Sequence, residues 1–117
     1  MVNKVIIIGN LGKDPEVKDL QHGKVCNFSV ATSHKWKDKT SGERKEETEW
    51  HNVTCYGGLA TVAGSYLHKG SKVYIEGRIK TRDYEAKDGT KRYITEIIAD
   101  ELQMLDGRPA NAETSSF

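Results

Sequence analysis

Between residues 46 and 57 the sequence alternates between two kinds of side chain. Alternation of this length predicts a β-strand, because successive side chains of a strand point to opposite faces of a sheet. One set holds aromatic residues among polar or small ones: Thr48, Trp50, Asn52, Thr54 and Tyr56. The other set is Glu49, His51, Val53 and Cys55. Rings on a polar face can stack on nucleic-acid bases, although Trp50 and Tyr56 could instead cap the core or fill an oligomer interface.

Two polar segments, predicted to be the longest loops, combine basic residues with an aromatic residue. Residues 35–45 contain five Lys or Arg against two Asp or Glu and include Trp36. Residues 80–92 contain five against three and include Tyr84. Cations can follow phosphates while rings stack on bases, so this combination favours a single-stranded nucleic-acid partner over loops that are merely solvated. Because the net charge of the chain is +1, such binding must come from the distribution of charge.

The sequence shows no pattern typical of a catalytic or metal site. Glu46, Glu47 and Glu49 lie near His51 and could form a metal or acid–base site, but a solvated start of a strand is the favoured interpretation. The four histidines show no ligand spacing. No nucleophile–base pair and no nucleotide-binding loop is visible. The sequence therefore predicts a binding protein without catalytic activity, metal or cofactor.

Five principal strands and one helix are predicted to position these side chains. The strands are expected at 3–9, 25–33, 46–57, 72–82 and 93–105, with a further short strand at 16–20. Asp88 and Gly89 predict the turn between the last two strands. The helix is expected over residues 59–68, with an apolar face of Leu59, Val62, Ala63, Tyr66 and Leu67. A helix between the third and fourth strands predicts an all-β OB-fold, a five-stranded Greek-key barrel that binds oligonucleotides.

The length of 117 residues corresponds to one domain. Residues 1–105 are predicted to form this OB-fold domain. Residues 106–117, which show no hydrophobic periodicity, are predicted to form a short disordered tail. No apolar run is long enough to cross a membrane, and no signal peptide is recognised. Cys26 and Cys55 lie within strand patterns, which favours buried, reduced thiols in a cytoplasmic protein.

Short motifs in a fixed order give the sequence a family resemblance. They include Gly9-Asn10-Leu11-Gly12, Asp14-Pro15-Glu16, Thr48-Glu49-Trp50-His51, Lys69-Gly70-Ser71, Val73-Tyr74-Ile75-Glu76-Gly77 and Gln103-Met104-Leu105. Over about residues 2–105 the chain resembles the bacterial-type single-stranded DNA-binding proteins. The resemblance implies a homotetramer of OB-folds in the cytoplasm, associated with the nucleoid. Such a protein coats single-stranded DNA without reading its sequence during replication, recombination and repair.

The resemblance also implies roles for particular residues. Base-stacking positions fall on Trp36, Trp50, Tyr56 and Tyr84. Phosphate contacts fall on Lys39, Lys45, Lys69 and Arg82. His51 falls at a subunit interface. An OB-fold accessory factor for replication restart or RNA binding is the alternative within the class of binding proteins.

The C-terminal residues depart from the family pattern. Family members usually carry a long linker rich in Gly, Pro and Gln, followed by an acidic tip that ends in Pro-Phe and recruits replication and repair proteins. Here the final residues are Asp106–Phe117, with Glu113 as the acid near the end. We therefore expect recruitment of such partners to be weakened, because each missing carboxylate removes a charge-assisted contact with a basic partner site.

Overall fold

The computed structural model describes residues 1–105, which form six strands and one helix. The elements are β1 (Val5–Leu11), β2 (Glu16–Leu20), β3 (Gly23–Lys37), β4 (Arg44–Tyr56), α1 (Gly58–Tyr66), β5 (Lys72–Glu85) and β6 (Lys91–Met104). The predicted tail at 106–117 lies outside the described residues. Within residues 1–105 no helix has the length and apolar character needed to cross a membrane.

The six strands belong to one sheet, in the order β1-β5-β6-β4-β3-β2. β1 pairs with β5 along most of its length and with β3 through Asn10 and Leu11. This second pairing completes a cycle through β1, β5, β6, β4 and β3, while β2 extends the sheet beyond β3. β4 and β6 are parallel neighbours joined by two residue pairs. The sheet therefore curls back on itself and is loosely joined in two places, at β1–β3 and at β4–β6.

The core lies inside the curled sheet and is built from alternate strand residues. Val30, Val53, Val73 and Ile75 are fully buried, and Leu67 joins them from the chain after α1. Because strand side chains alternate, the same strands carry a second set of side chains that points away from this core.

Cys26 and Cys55 face each other across β3 and β4, and both are free and fully buried. Burial disfavours the charged thiolate and, together with the neighbouring Cys26, raises the pKa of Cys55 to about 12. The predicted role of the two cysteines as small buried residues is confirmed.

The two long hairpins have shorter loops than the sequence predicted. β3 and β4 pair out to their ends, which leaves residues 38–43 as the loop. β5 and β6 leave residues 86–90, where Gly89 adopts a φ of 85° at the predicted turn. Tyr84, expected within a loop, lies in β5, so that placement was wrong. Trp36, expected at the edge of a loop where the preceding strand runs out, lies one residue before the end of β3. The error has a physical origin: a hairpin arm that is solvated on both faces has the same polar composition as a loop.

The predicted apolar face of the helix was partly wrong: Ala63 and Leu67 are buried and Leu59 packs against the core as expected, but Val62 and Tyr66 do not. α1 packs against β2, β3, β4 and β6. It buries Ala60 and Ala63, whereas Val62 and Tyr66 are exposed. Small side chains allow the helix backbone to approach the sheet closely, so the face that carries the alanines turns inward.

Gly77 lies at a register shift between β5 and β6 where a side chain has no room. A Cβ built on Gly77 would collide with the backbone of Ile98 and Ala99. We expect Gly77→Ala to lower the free energy of unfolding by about 1–3 kcal/mol, because the strands must separate to admit a methyl group. Urea unfolding followed by circular dichroism measures this loss. Gly58→Ala is the control, since nothing lies within 4 Å of its Cβ position; equal losses in the two variants would contradict the steric explanation.

Candidate nucleic-acid interface

One side of the sheet carries exposed aromatic rings on a polar surface. We call this side the polar face; in β4 it consists of Thr48, Trp50, Asn52, Thr54 and Tyr56, paired in β3 with Ser33, Ala31, Ser29, Asn27 and Val25. The predicted alternation of β4 is confirmed. Trp50 and Tyr56 expose 56% and 52% of their surface. Neither ring caps the core of the described chain, so both are available for contact with another molecule.

The ring of Trp50 packs against Gly12. A Cβ built on Gly12 would lie 2.5 Å from Cζ3 and 2.7 Å from Cη2 of Trp50. The Gly12 backbone N–H donates to the Ser29 carbonyl at 3.1 Å, which fixes this residue beside β3. Glycine therefore allows the ring to contact the backbone and limits the orientations that Trp50 can adopt.

A groove of about 310 Å³ opens on the polar face. Its polar lining residues include Lys13, Asn27, Asn52, Thr54, Arg82 and Glu96. A second pocket shares Asn52 and Glu96 with this groove and is bordered by Trp50. The exposed ring of Trp50 therefore borders a pocket that adjoins the groove.

Positive charge is concentrated away from this groove. Two basic and three acidic side chains line the groove: Lys13 and Arg82, and Asp14, Glu16 and Glu96. By contrast, the pocket around Trp36 is lined by Lys35, Lys37, Arg44 and Lys45 with Glu46 as its single acid. Attraction of phosphates is therefore expected to be strongest at the β3–β4 hairpin, while a cation in the groove must act through directed contacts.

Glu96 is a buried carboxylate at the floor of the groove, with 5% of its side chain accessible. Its Oε2 accepts a hydrogen bond from Arg82 Nε at 2.7 Å, and its Oε1 accepts one from the Thr54 hydroxyl at 2.5 Å. Burial alone would raise the pKa of Glu96, but the hydrogen bonds from Thr54 and Arg82 outweigh it, so the pKa lies below its usual value. Glu96 is therefore ionised at neutral pH.

Thr54 links Glu96 to Asn27. Thr54 Oγ1 lies 2.9 Å from Asn27 Oδ1 as well as 2.5 Å from Glu96 Oε1. One hydroxyl proton cannot serve two acceptors. All groups are satisfied when the Asn27 amide is turned so that its NH₂ donates to Thr54 and Thr54 donates to Glu96. A chain of hydrogen bonds then crosses from β3 through β4 and β6 to Arg82 on β5.

The four predicted stacking residues do not share one side of the sheet. Tyr84 follows Arg82 by two residues in β5 and so lies on the same side as Arg82, with Trp50 and Tyr56. Trp36 pairs with Lys45, and the alternation of the hairpin places it on the opposite side. Its ring stacks on His34, with centroids 5.3 Å apart and planes inclined by 25°.

The predicted phosphate contacts lie in different surroundings. Arg82 pairs with Glu96, and Lys45 forms an ion pair with Asp38 at 3.3 Å. Lys39 is exposed in the loop between β3 and β4. Lys69 is exposed after α1, where its backbone N–H donates to Asp14 Oδ1 at 2.8 Å.

His51 points away from the polar face, as the alternation predicted. It pairs with the buried Val30, is itself partly buried, and places its Nε2 2.9 Å from Thr32 Oγ1. Its role at a subunit interface stays a prediction.

In the described part of the chain no group of three His, Cys, Asp or Glu side chains could hold a metal ion.

Comparison with known proteins places this geometry in a family. The model of the single-strand binding protein family matches residues 2–105. The chain belongs to this family. Two relatives called single-stranded DNA-binding protein, from Neisseria meningitidis serogroup A strain Z2491 and serogroup B strain MC58, are each 55% identical over 112 residues. The matches cover 95% of this chain and 64% of each relative, so the chain spans somewhat less than two thirds of their length.

A solved structure of this family supports the fold directly. The Plasmodium falciparum SSB complex with ssDNA is 35% identical, with a TM-score of 0.81. The match covers 91% of this chain and 96% of that one. The OB-fold expected from the order of strands and helix is confirmed.

Glu96 and Thr54 were not among the site residues predicted from the sequence. A signal was present, because in a strand Glu96 shares its face with Ile94 and Ile98, and a charge that is buried among apolar residues needs a partner. The sequence does not reveal that partner, since Arg82 lies on the neighbouring strand and Thr54 on β4.

We expect Gly12→Ala to displace the ring of Trp50. In a Trp36→Phe background Trp50 is the sole tryptophan, so its fluorescence reports the ring directly. A ring pushed off the backbone is more accessible, and we expect acrylamide to quench it with a larger Stern–Volmer constant. Gly58→Ala in the same background is the control. Identical quenching of Gly12→Ala and its parent would show that the ring position does not depend on Gly12.

Proposed function

We propose that the chain binds single-stranded DNA without reading its sequence. Its role would be that of a non-enzymatic protein of replication, recombination and repair in the cytoplasm, associated with the nucleoid. The observation that carries this proposal is the pair of exposed rings, Trp50 and Tyr56, on a polar face beside a groove edged by Arg82. Unpaired bases offer their flat faces to such rings, whereas bases in a duplex are stacked on one another. Family membership supports the same proposal.

Binding without sequence preference follows from the chemistry of the polar face. Every base has a flat face that can stack, so the rings do not select among bases. The groove offers the side-chain amides of Asn27 and Asn52. An amide can both donate and accept hydrogen bonds, so these groups adapt to different base edges.

The path of the strand follows from the positions of the proposed contacts. Bases would stack on Trp36, Trp50, Tyr56 and Tyr84, and phosphates would contact Lys39, Lys45, Lys69 and Arg82. Trp36 and Trp50 lie on opposite sides of the β3–β4 hairpin. A single DNA strand that contacts both rings must therefore pass around this hairpin. The Lys and Arg side chains around Trp36 would then contact the phosphates of the DNA segment that passes around the hairpin.

We expect oligo-dT to quench the tryptophan fluorescence strongly and a duplex of equal length to quench it weakly. Trp50→Ala should weaken oligo-dT binding by about 1–3 kcal/mol, the value of one lost stack. Fluorescence and anisotropy titrations measure both effects. Unchanged fluorescence at saturating oligo-dT would reject stacking, and stronger binding of oligo-rU than of oligo-dT would favour an RNA-binding protein.

Two tyrosines of the β5–β6 hairpin provide a matched control. Tyr84 and Tyr93 are both exposed, but Tyr93 pairs with Asp83 and so lies on the side opposite Tyr84. Tyr84→Ala should weaken binding, whereas Tyr93→Ala should leave it unchanged. Equal losses would show that the effect does not come from the polar face.

We propose that the protein assembles as a homotetramer. β1 exposes Ile6 and Ile8, and over residues 5–9 it pairs on one edge with β5 while its other edge has no partner strand among the described residues. An exposed apolar strand with a free edge favours association with a second copy. His51 would lie at a contact between subunits.

His51→Tyr tests this placement. The larger ring should not fit at a subunit contact, so we expect the tetramer to dissociate at low concentration and to bind DNA less tightly. Sedimentation velocity over a dilution series measures the assembly. His22→Tyr, at an exposed turn, is the control for the substitution itself. A His51→Tyr variant as tetrameric as the wild type at every dilution would refute the placement, and a monomeric wild type would refute the tetramer.

A further inference from the structure

We propose that Glu96 is a positioning residue for DNA binding. It holds the Arg82 guanidinium by Nε, so that the two terminal nitrogens are presented to a DNA phosphate at the groove. The inference rests on the proposed binding of single-stranded DNA and adds a residue that acts through another, without touching DNA itself.

The geometry of the pair leaves the terminal nitrogens of Arg82 free for a ligand. A guanidinium carries five N–H donors in one plane, and Glu96 takes the one on Nε at 2.7 Å. The Arg82 side chain is 52% accessible while that of Glu96 is 5% accessible. The accessible surface of the pair therefore belongs to Arg82, and the two terminal nitrogens of a guanidinium match the spacing of two phosphate oxygens.

Glu96 can orient Arg82 because Glu96 is itself fixed. Its second oxygen accepts the Thr54 hydroxyl, and Thr54 is buried and contacts Asn27. A carboxylate bonded through both oxygens has little freedom to rotate. The chain of hydrogen bonds thus ties the cation on β5 to β4, the strand that carries Trp50, and less side-chain freedom remains to be lost when DNA binds.

Charge alone would give Glu96 the opposite effect. A carboxylate beside the path of DNA repels phosphates, so removing its charge should strengthen binding if repulsion were its whole effect. Positioning predicts that removing it weakens binding, although the protein becomes more positive. The sign of the change therefore separates the two roles.

The same two strands supply a matched control pair. Arg78 Nη1 lies 3.5 Å from Asp100 Oδ1, with both side chains more than half exposed, and neither residue lines the groove. Such exposed pairs hold their members weakly. Asp100→Asn and Glu96→Gln each remove one negative charge from an Arg–carboxylate pair between β5 and β6. Asp100→Asn does so outside the groove, so it is the control for the change in charge.

The test is oligo-dT affinity measured over a range of salt concentrations. Glutamine at position 96 keeps an oxygen that can accept from Arg82 Nε, but the charge-assisted hydrogen bond becomes a weaker neutral one. For Glu96→Gln we therefore expect affinity to fall several-fold at low salt, with a slope of log K against log salt that is shallower than that of the wild type by at most about 0.7, the value for one lost phosphate contact with a single strand. Arg82→Gln, whose amide can still donate to Glu96, should make the slope shallower by about 0.7, and the Glu96→Gln/Arg82→Gln double variant should show no further change. Asp100→Asn should retain the wild-type slope.

A second pair of variants leaves the Arg82–Glu96 ion pair intact. Thr54→Val removes the hydroxyl that holds Glu96 and should weaken binding, whereas Thr54→Ser keeps the hydroxyl and should restore it. Thermal unfolding of each variant separates loss of fold from loss of positioning. Equal affinities of Thr54→Val and Thr54→Ser would show that Thr54 does not fix Glu96.

The outcomes distinguish this inference from the function on which it rests. A wild type that does not bind oligo-dT would overturn the proposed function. A wild type that binds, with a Glu96→Gln slope equal to or steeper than its own, would overturn the positioning role alone. So would a loss from Glu96→Gln that is equally large in the Arg82→Gln background, because Glu96 would then act independently of Arg82.

Discussion

The register of β3 against β4 decides which side chains of this protein meet water and which meet the core. Val53 and Cys55 lie opposite Phe28 and Cys26 and are buried with them. A shift of β4 by one residue would bring Trp50 and Tyr56 inward and expose Val53 and Cys55, because side chains alternate with a period of two. Burial of the small apolar set therefore holds the register, and the same register keeps the two rings exposed.

The hairpin extends beyond the core, and there pairing replaces burial as the source of order. Trp36 and Lys45 are direct partners in this exposed arm, where the turn is closed by Asp38. Hydrogen bonds of Asp38 with the Thr40 backbone and with Lys45 lower the pKa of the Asp38 carboxyl, so this turn keeps its charge at neutral pH. The arm carries aromatic and basic groups away from the groove, which divides the proposed binding surface between two sides of one hairpin.

Glu96 is a buried charge, whereas its partner Arg82 remains half exposed. Burial removes water that would otherwise solvate the carboxylate, and this cost offsets part of the attraction between the two charges. Glu96 lies between residues that could pack as an apolar strand, yet it carries a charge that Thr54 and Arg82 must satisfy. This cost is understandable if the pair serves to orient Arg82 at the groove, which joins the stability of the fold to the geometry of the site.

The sequence by itself determined the features that depend on neighbours along the chain. Alternation predicted the inward and outward sets of β4, including the exposure of Trp50 and the inward direction of His51, because the side of a strand residue is a local property. Asp88 and Gly89 predicted their turn for the same reason. The order of strands and helix, with the family motifs, predicted the OB-fold.

Only the tertiary structure decided the features that depend on contacts between distant segments. The hairpin strands continued through polar residues because each strand found a partner, and α1 turned its alanines inward because the sheet lay close to it. Thr54 and Glu96 are 42 residues apart in the chain, and their hydrogen bond requires β4 and β6 to be neighbours. The sequence shows a glutamate in the apolar pattern of β6, but it shows neither its burial nor its partners, because both depend on distances that folding alone sets.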